Sequence, residues 1–114
     1  MACILTPSLK ATVDFQGPTG SKFTIKATTT NSLIGITLAM YGPDGNHTTI
    51  LAGQPFTFTI LHGVNTLTVI GLGTVPNVPF QIVETCPPAP DNVLHSDVLS
   101  ASGHFNVGIE IEGV

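Results

Sequence analysis

The sequence predicts an all-β protein: an antiparallel two-layer β-sandwich, immunoglobulin-like in the broad sense, with a jelly roll or small β-barrel as the alternative. Three observations predict it. Apolar and polar residues alternate almost throughout, the period of a half-buried strand. Turn signals rich in Gly, Pro, Asn and Asp recur about every 8–12 residues. The apolar content is high, at 42% with a mean hydropathy of +0.41. Yet it is spread over short runs, none near the roughly 20 unbroken apolar residues of a membrane helix.

The strands are read in order. In LKATVDF, Leu9, Ala11, Val13 and Phe15 share one face, and QGPTGS (16–21) then turns the chain. KFTIKAT puts Phe23, Ile25 and Ala27 inside, with Lys22, Thr24, Lys26 and Thr28 outside. LIGITLAMY puts Ile34, Ile36, Leu38 and Met40 on one face. Its other face, Gly35, Thr37, Ala39 and Tyr41, is free of charge. GPDGNH is a hairpin signal, because Asp-Gly tolerates the positive φ of a tight turn. A short strand over Thr48–Leu51 follows, then FTFTI with Phe56, Phe58 and Ile60 inward. TLTVIGLG changes phase between Val69 and Ile70; a bulge near Gly71, or cover on both faces, would account for it. FQIVETC is the seventh strand before the chain reaches CPPAPDN. Phe23, Ile25, Ile36, Leu38, Phe56, Phe58, Leu67 and Val69 are expected to form one contiguous core.

The prolines after Cys86 block a helix and remove ladder donors. Beyond them, Asp91 is placed to cap a short helix over NVLHSDVLS, with Leu94 and Val98 at i, i+4. The same letters also suit an edge strand, and the helix is preferred. HFNVGIEIEGV has the cleanest alternation in the chain: Phe105, Val107, Ile109 and Ile111 on one face, Asn106, Gly108, Glu110 and Glu112 on the other. The chain is therefore expected to form a single β-sandwich domain over 1–114. Residues 87–103 would be a Pro-rich crossover and 104–112 a final strand, completing its own sheet or a neighbour's.

Cys3 and Cys86 fall at the start of the first segment and the end of the seventh, which can share a pole of a sandwich. A bond there would close a loop that the chain-entropy model values at roughly 4–5 kcal/mol. The alternative is two buried free thiols. MACILTPSLK lacks the basic and apolar regions of a signal peptide. The expected setting is nevertheless extracellular or on a particle surface rather than cytoplasmic.

Charge restricts the function. The net charge is −4, with three lysines and no arginine. Nucleic-acid phosphates demand a basic patch, so no nucleic acid is expected, and no membrane insertion either. Charged residues are only 9% of the chain, and a surface so poor in charge resists association badly. No enzyme is expected. The four histidines show no metal-ligand spacing, and no GxSxG, P-loop or GxGxxG occurs. His95-Ser96-Asp97 holds triad residue types, but neighbours in sequence cannot converge as a triad does. Glu110 and Glu112 read as a solvated strand face that discourages edge pairing. No cofactor and no metal site are expected.

The expectation is a non-enzymatic structural or adhesive subunit that works by protein–protein contact and self-assembly. Its candidate interface residues are Gly35, Thr37, Ala39, Tyr41, Phe105, Val107, Ile109 and Ile111. Its partner would be a second copy or another protein. The alternative is a carbohydrate-binding module or lectin using Tyr41, Asp44, Asn46 and His47 around the hairpin tip, with or without calcium.

Overall fold

The computed structural model describes residues 3–29, 35–45, 47–51, 55–72, 77–99 and 104–114. Among them the chain forms ten strands and no helix. The strands are β1 (Thr6–Pro7), β2 (Phe15–Gly17), β3 (Lys22–Thr29), β4 (Gly35–Tyr41), β5 (His47–Leu51), β6 (Phe56–Thr59), β7 (Gly63–Leu72), β8 (Pro79–Thr85), β9 (Asn92–Val98) and β10 (His104–Gly113). They build a six-stranded sheet, ordered β1-β2-β10-β7-β4-β5, and a four-stranded sheet, ordered β6-β3-β8-β9. All pairings are antiparallel except β2 with β10, which is parallel. The architecture is a two-layer sandwich.

Alternation decides which side chains enter the core. Phe23, Ile25 and Ala27 of β3, Phe58 of β6, and Phe80 and Ile82 of β8 face Leu67 and Val69 of β7, Met40 of β4, and Ile109 and Ile111 of β10 in one buried cluster. Phe56 is half-buried against it, while Thr57 and Thr59 are exposed, so the register of β6 is the expected one. The side chains of Ile36 and Leu38 lie outside the described residues. Phe58 packs its ring 5.0 Å from Phe56 and 6.0 Å from Phe23, within the range of favourable aromatic pairs.

The hairpin at PDG forms as read. Tyr41 pairs with His47, Gly45 takes φ 83°, and its N–H donates to the Gly42 carbonyl at 3.0 Å. The final strand also forms, in the chain's own sheet. β10 pairs with β7 over ten consecutive residues and with β2 on its other side.

Three expectations are corrected. LKATVDF is not a strand. Residues 8–14 form a turn that joins β1 to β2, closed by Ser8 N–H to Asp14 O at 3.0 Å, Val13 N–H to Lys10 O at 3.3 Å and Lys10 N–H to Ser8 Oγ at 3.1 Å. Short polar side chains here offer the backbone a local alternative to the ladder. Val13 is buried, but Leu9 is fully exposed at 103%.

The segment 91–100 is not a helix either, since Asn92–Val98 is the strand β9, paired with β8. A register shift against Ile82/Val83 leaves Leu94 as the extra residue, and Leu94 is turned into the core. Lastly, β7 has no bulge at Gly71. Its register with β10 is continuous, and Ile70 stands on the outer face, half-exposed.

Candidate functional site

Two regions bring candidate residues together: the outer face of the six-stranded sheet, and the pole where residues 3–5 meet the end of β8.

On the outer face, the register sets the neighbours. Tyr41 lies beside Thr66, which lies beside Glu110; Ala39 lies beside Thr68, which lies beside Gly108. Thr37 lies beside Ile70, which lies beside Asn106. Tyr41, Val64 and Ile70 are exposed at 41%, 42% and 50%, so three large apolar or aromatic side chains stand on a face whose other members are mostly small or uncharged. Among the described residues this face carries two carboxylates, and both are engaged. Glu110 Oε2 accepts from Thr66 Oγ1 at 2.9 Å. Glu112 holds the Lys10 ammonium, 2.8 Å from each oxygen.

The other candidate interface residues are placed differently. Ile109 and Ile111 are in the core, and Val107 is half-buried against it. Gly35 pairs with Leu72, and Phe105 with Gly71; the side chains of Thr37 and Phe105 lie outside the described residues. Ala39 is covered by its neighbours. At the hairpin tip Asp44 is exposed. Asn46 and the side chain of His47 lie outside the described residues.

At the pole the cysteine pair is legible in the sequence and the carboxylate beside it is not. Cys3 and Cys86 form a disulfide with Cα atoms 5.2 Å apart. Glu84, in phase with Phe80 and Ile82 along β8, points inward beside this bond and is only 2% exposed. Residues 3–5 belong to no strand, so their backbone groups need partners. Glu84 Oε2 accepts from Ile4 N–H at 2.9 Å, and Oε1 accepts from Leu5 N–H at 3.3 Å. The Asn92 amide donates to Glu84 Oε1 at 3.1 Å and to Leu5 O at 3.0 Å. One carboxylate and one amide thus satisfy two donors and an acceptor of a segment without a ladder. The period-two rule was the signal: FQIVETC puts Glu84 in the inward phase. Cys3 Sγ, a Glu84 carboxylate oxygen and Cys86 Sγ also lie within 4.8 Å of one another.

A second buried polar residue, Asn65, closes the turn before β7. Its Nδ2 donates to Leu61 O at 2.9 Å and Ile111 O at 3.3 Å, and its Oδ1 accepts from Leu61 N–H at 3.2 Å. On β9, His95 Nε2 is 3.4 Å from Asp97 Oδ2, and strand alternation sends Ser96 to the opposite face. The Val98 N–H, 2.7 Å from Oδ1, and then His95 hold the Asp97 carboxyl below its ordinary value. No protein-family model, no curated protein and no solved structure matches this chain.

Proposed function

We propose that this protein is a non-enzymatic sandwich subunit that works by protein contact and assembles with further copies of itself, as a component of a surface, a particle coat or a filament. The observation that carries the reading is the outer face of the six-stranded sheet, where Tyr41, Val64 and Ile70 are all exposed, the first two near one end and Ile70 further along β7. Interface centres are depleted in charge and enriched in aromatic residues, and exposed apolar groups clustered on one face mark contact surfaces. The two carboxylates of the face are already neutralised or hydrogen-bonded within the chain. A second copy, with a net charge of −4, meets less repulsion at such a surface than at an unpaired acidic one. β10 is paired on both sides at home, which favours the sheet face over strand exchange as the route.

The test is Ile70→Asp together with Tyr41→Asp, followed by solution mass. The side chains are surface-exposed, so the variants should keep their sheet signal and lose self-association. Variants that associate like the parent would overturn the reading. A parent that is monomeric and binds a glycan array through Tyr41 would favour carbohydrate recognition instead.

A further inference from the structure

We infer that the pole is a two-state site: with the Cys3–Cys86 bond reduced, Cys3, Cys86 and Glu84 bind a borderline-soft divalent cation of the zinc class. The placement of donor atoms comes first. The two sulfurs and a Glu84 carboxylate oxygen lie within 4.8 Å of one another. Tetrahedral zinc, with Zn–S near 2.3 Å and Zn–O near 2.0–2.2 Å, needs S···S of about 3.8 Å and S···O of about 3.6 Å. Once the bond is broken, the sulfurs need only separate by side-chain rotation to reach that spacing.

The third ligand is already aimed. Ile4 N–H, Leu5 N–H and the Asn92 amide hold the Glu84 carboxylate in place. Partners of this kind orient a metal ligand. Among the described residues, Oε2 accepts from Ile4 alone, which leaves it a lone pair for the cation.

An independent feature supplies access. A cavity of about 260 Å³ opens beside the pole, lined by Ile4, Glu84 and Cys86 together with Lys22 and Thr24. It has room for a water in the fourth coordination position. Two thiolates, one carboxylate and a dication sum to a charge of about −1.

The chemistry balances. A dithiol gives two electrons and two protons to the disulfide, whose S–S bond breaks to yield two thiols, and the reagent closes into its own cyclic disulfide. The cation then displaces both thiol protons to the buffer as two metal–sulfur bonds form. Before the cation arrives the thiols have acceptors, since Glu84 O is 3.4 Å from Cys86 Sγ and Pro90 O is 3.7 Å from Cys3 Sγ.

The full chain is reduced with a dithiol, freed of the reagent under argon, and titrated with Zn²⁺ against a chromogenic chelator. Circular dichroism is recorded at every point, and a parallel Co²⁺ titration reports thiolate-to-metal charge-transfer absorption. One equivalent of Zn²⁺ per chain is expected in the reduced protein and none in the oxidised protein. Cys86→Ser and Glu84→Gln, each compared with the reduced parent, should weaken binding at least about tenfold. If the reduced chain unfolds, Zn²⁺ should restore the β-sheet signal. Absence of uptake by a folded reduced chain overturns the inference. So does failure of Zn²⁺ to refold an unfolded one, or Glu84→Gln affinity equal to that of the parent.

Discussion

Removing the Glu84 carboxylate should be among the most destabilising single changes available to this chain. The side chain is 2% exposed and accepts three hydrogen bonds, two from consecutive backbone N–H groups and one from Asn92. Glu84→Ala leaves two backbone N–H groups without an acceptor and removes one of the two Asn92 amide bonds, at a site that is largely closed to water. Each buried unsatisfied group costs about 1–3 kcal/mol, partly recovered where water enters from the neighbouring cavity. Relief of the desolvation cost of a buried charge offsets a further part. The net loss is expected at about 3–5 kcal/mol. For a domain of this size each kcal/mol moves the midpoint by about 4 °C, so Tm should fall by about 12–20 °C. Glu84→Gln keeps the shape but turns one oxygen into a donor that faces Ile4 or Leu5 N–H, and should cost about 1–3 kcal/mol. The assay is thermal and urea unfolding followed by circular dichroism under non-oxidising, non-reducing conditions, with the disulfide intact in every variant. That keeps the loop constraint on the unfolded chain the same. Asn92→Ala in combination should cost less than the sum, because the two residues share one network. A Glu84→Ala protein within about 0.5 kcal/mol of the parent would refute a stabilising role for the Glu84 network.

Four further outcomes follow from the packing. Phe58→Ala should cost about 3–5 kcal/mol in urea unfolding, because its ring is buried against Phe23 and Phe56, whereas exposed Thr57→Ala should cost well under that. Gly113→Ala should be strongly destabilising by the same measurement. A Cβ at that position would run into the Leu61 carbonyl oxygen and lie 3.0 Å from the Ile60 side chain, and backbone cannot yield as a flexible side chain can. Deletion of 104–114 should abolish the cooperative transition, since it removes the strand between β2 and β7 together with Ile109 and Ile111. Asp97, whose carboxyl titrates below its ordinary value, stabilises the fold above the unfolded pKa, and this contribution is lost as pH falls through the lower, folded one. Asp97→Asn should therefore slightly flatten the acid limb of a stability–pH curve. The effect is small because the group is largely in water.

Much of the sandwich could be read from alternation, and the failures have physical causes. Phe23, Ile25, Ala27, Phe58, Leu67, Val69, Ile109 and Ile111 all face inward as period two requires. LKATVDF carries the same period but forms a turn, because Ser8, Lys10 and Asp14 close local hydrogen bonds, while Lys10 is drawn to Glu112 across the fold. The Glu112 partner is not visible in a seven-residue window. The segment 91–100 has a plausible cap and an i, i+4 apolar pair, yet β8 needs a partner for its free edge. Tertiary pairing overrides the weak helix preference, and it separates the pair: Leu94 is buried and Val98 exposed. Ile70 looked like a phase error and is an exposed residue of a regular strand. At the pole, the two cysteines signalled the bridge, whereas Glu84 was passed over because a charged residue in the inward phase is rare. Its partners, Ile4, Leu5 and Asn92, are brought to it only by the fold.

The proposed contact between copies of this chain is tested by sedimentation equilibrium of the oxidised full chain over a wide concentration range. The mass should rise above the 11.8 kDa of one chain as concentration increases, and return to one chain with Ile70→Asp. A mass of one chain at every concentration, unchanged by that substitution, would contradict it.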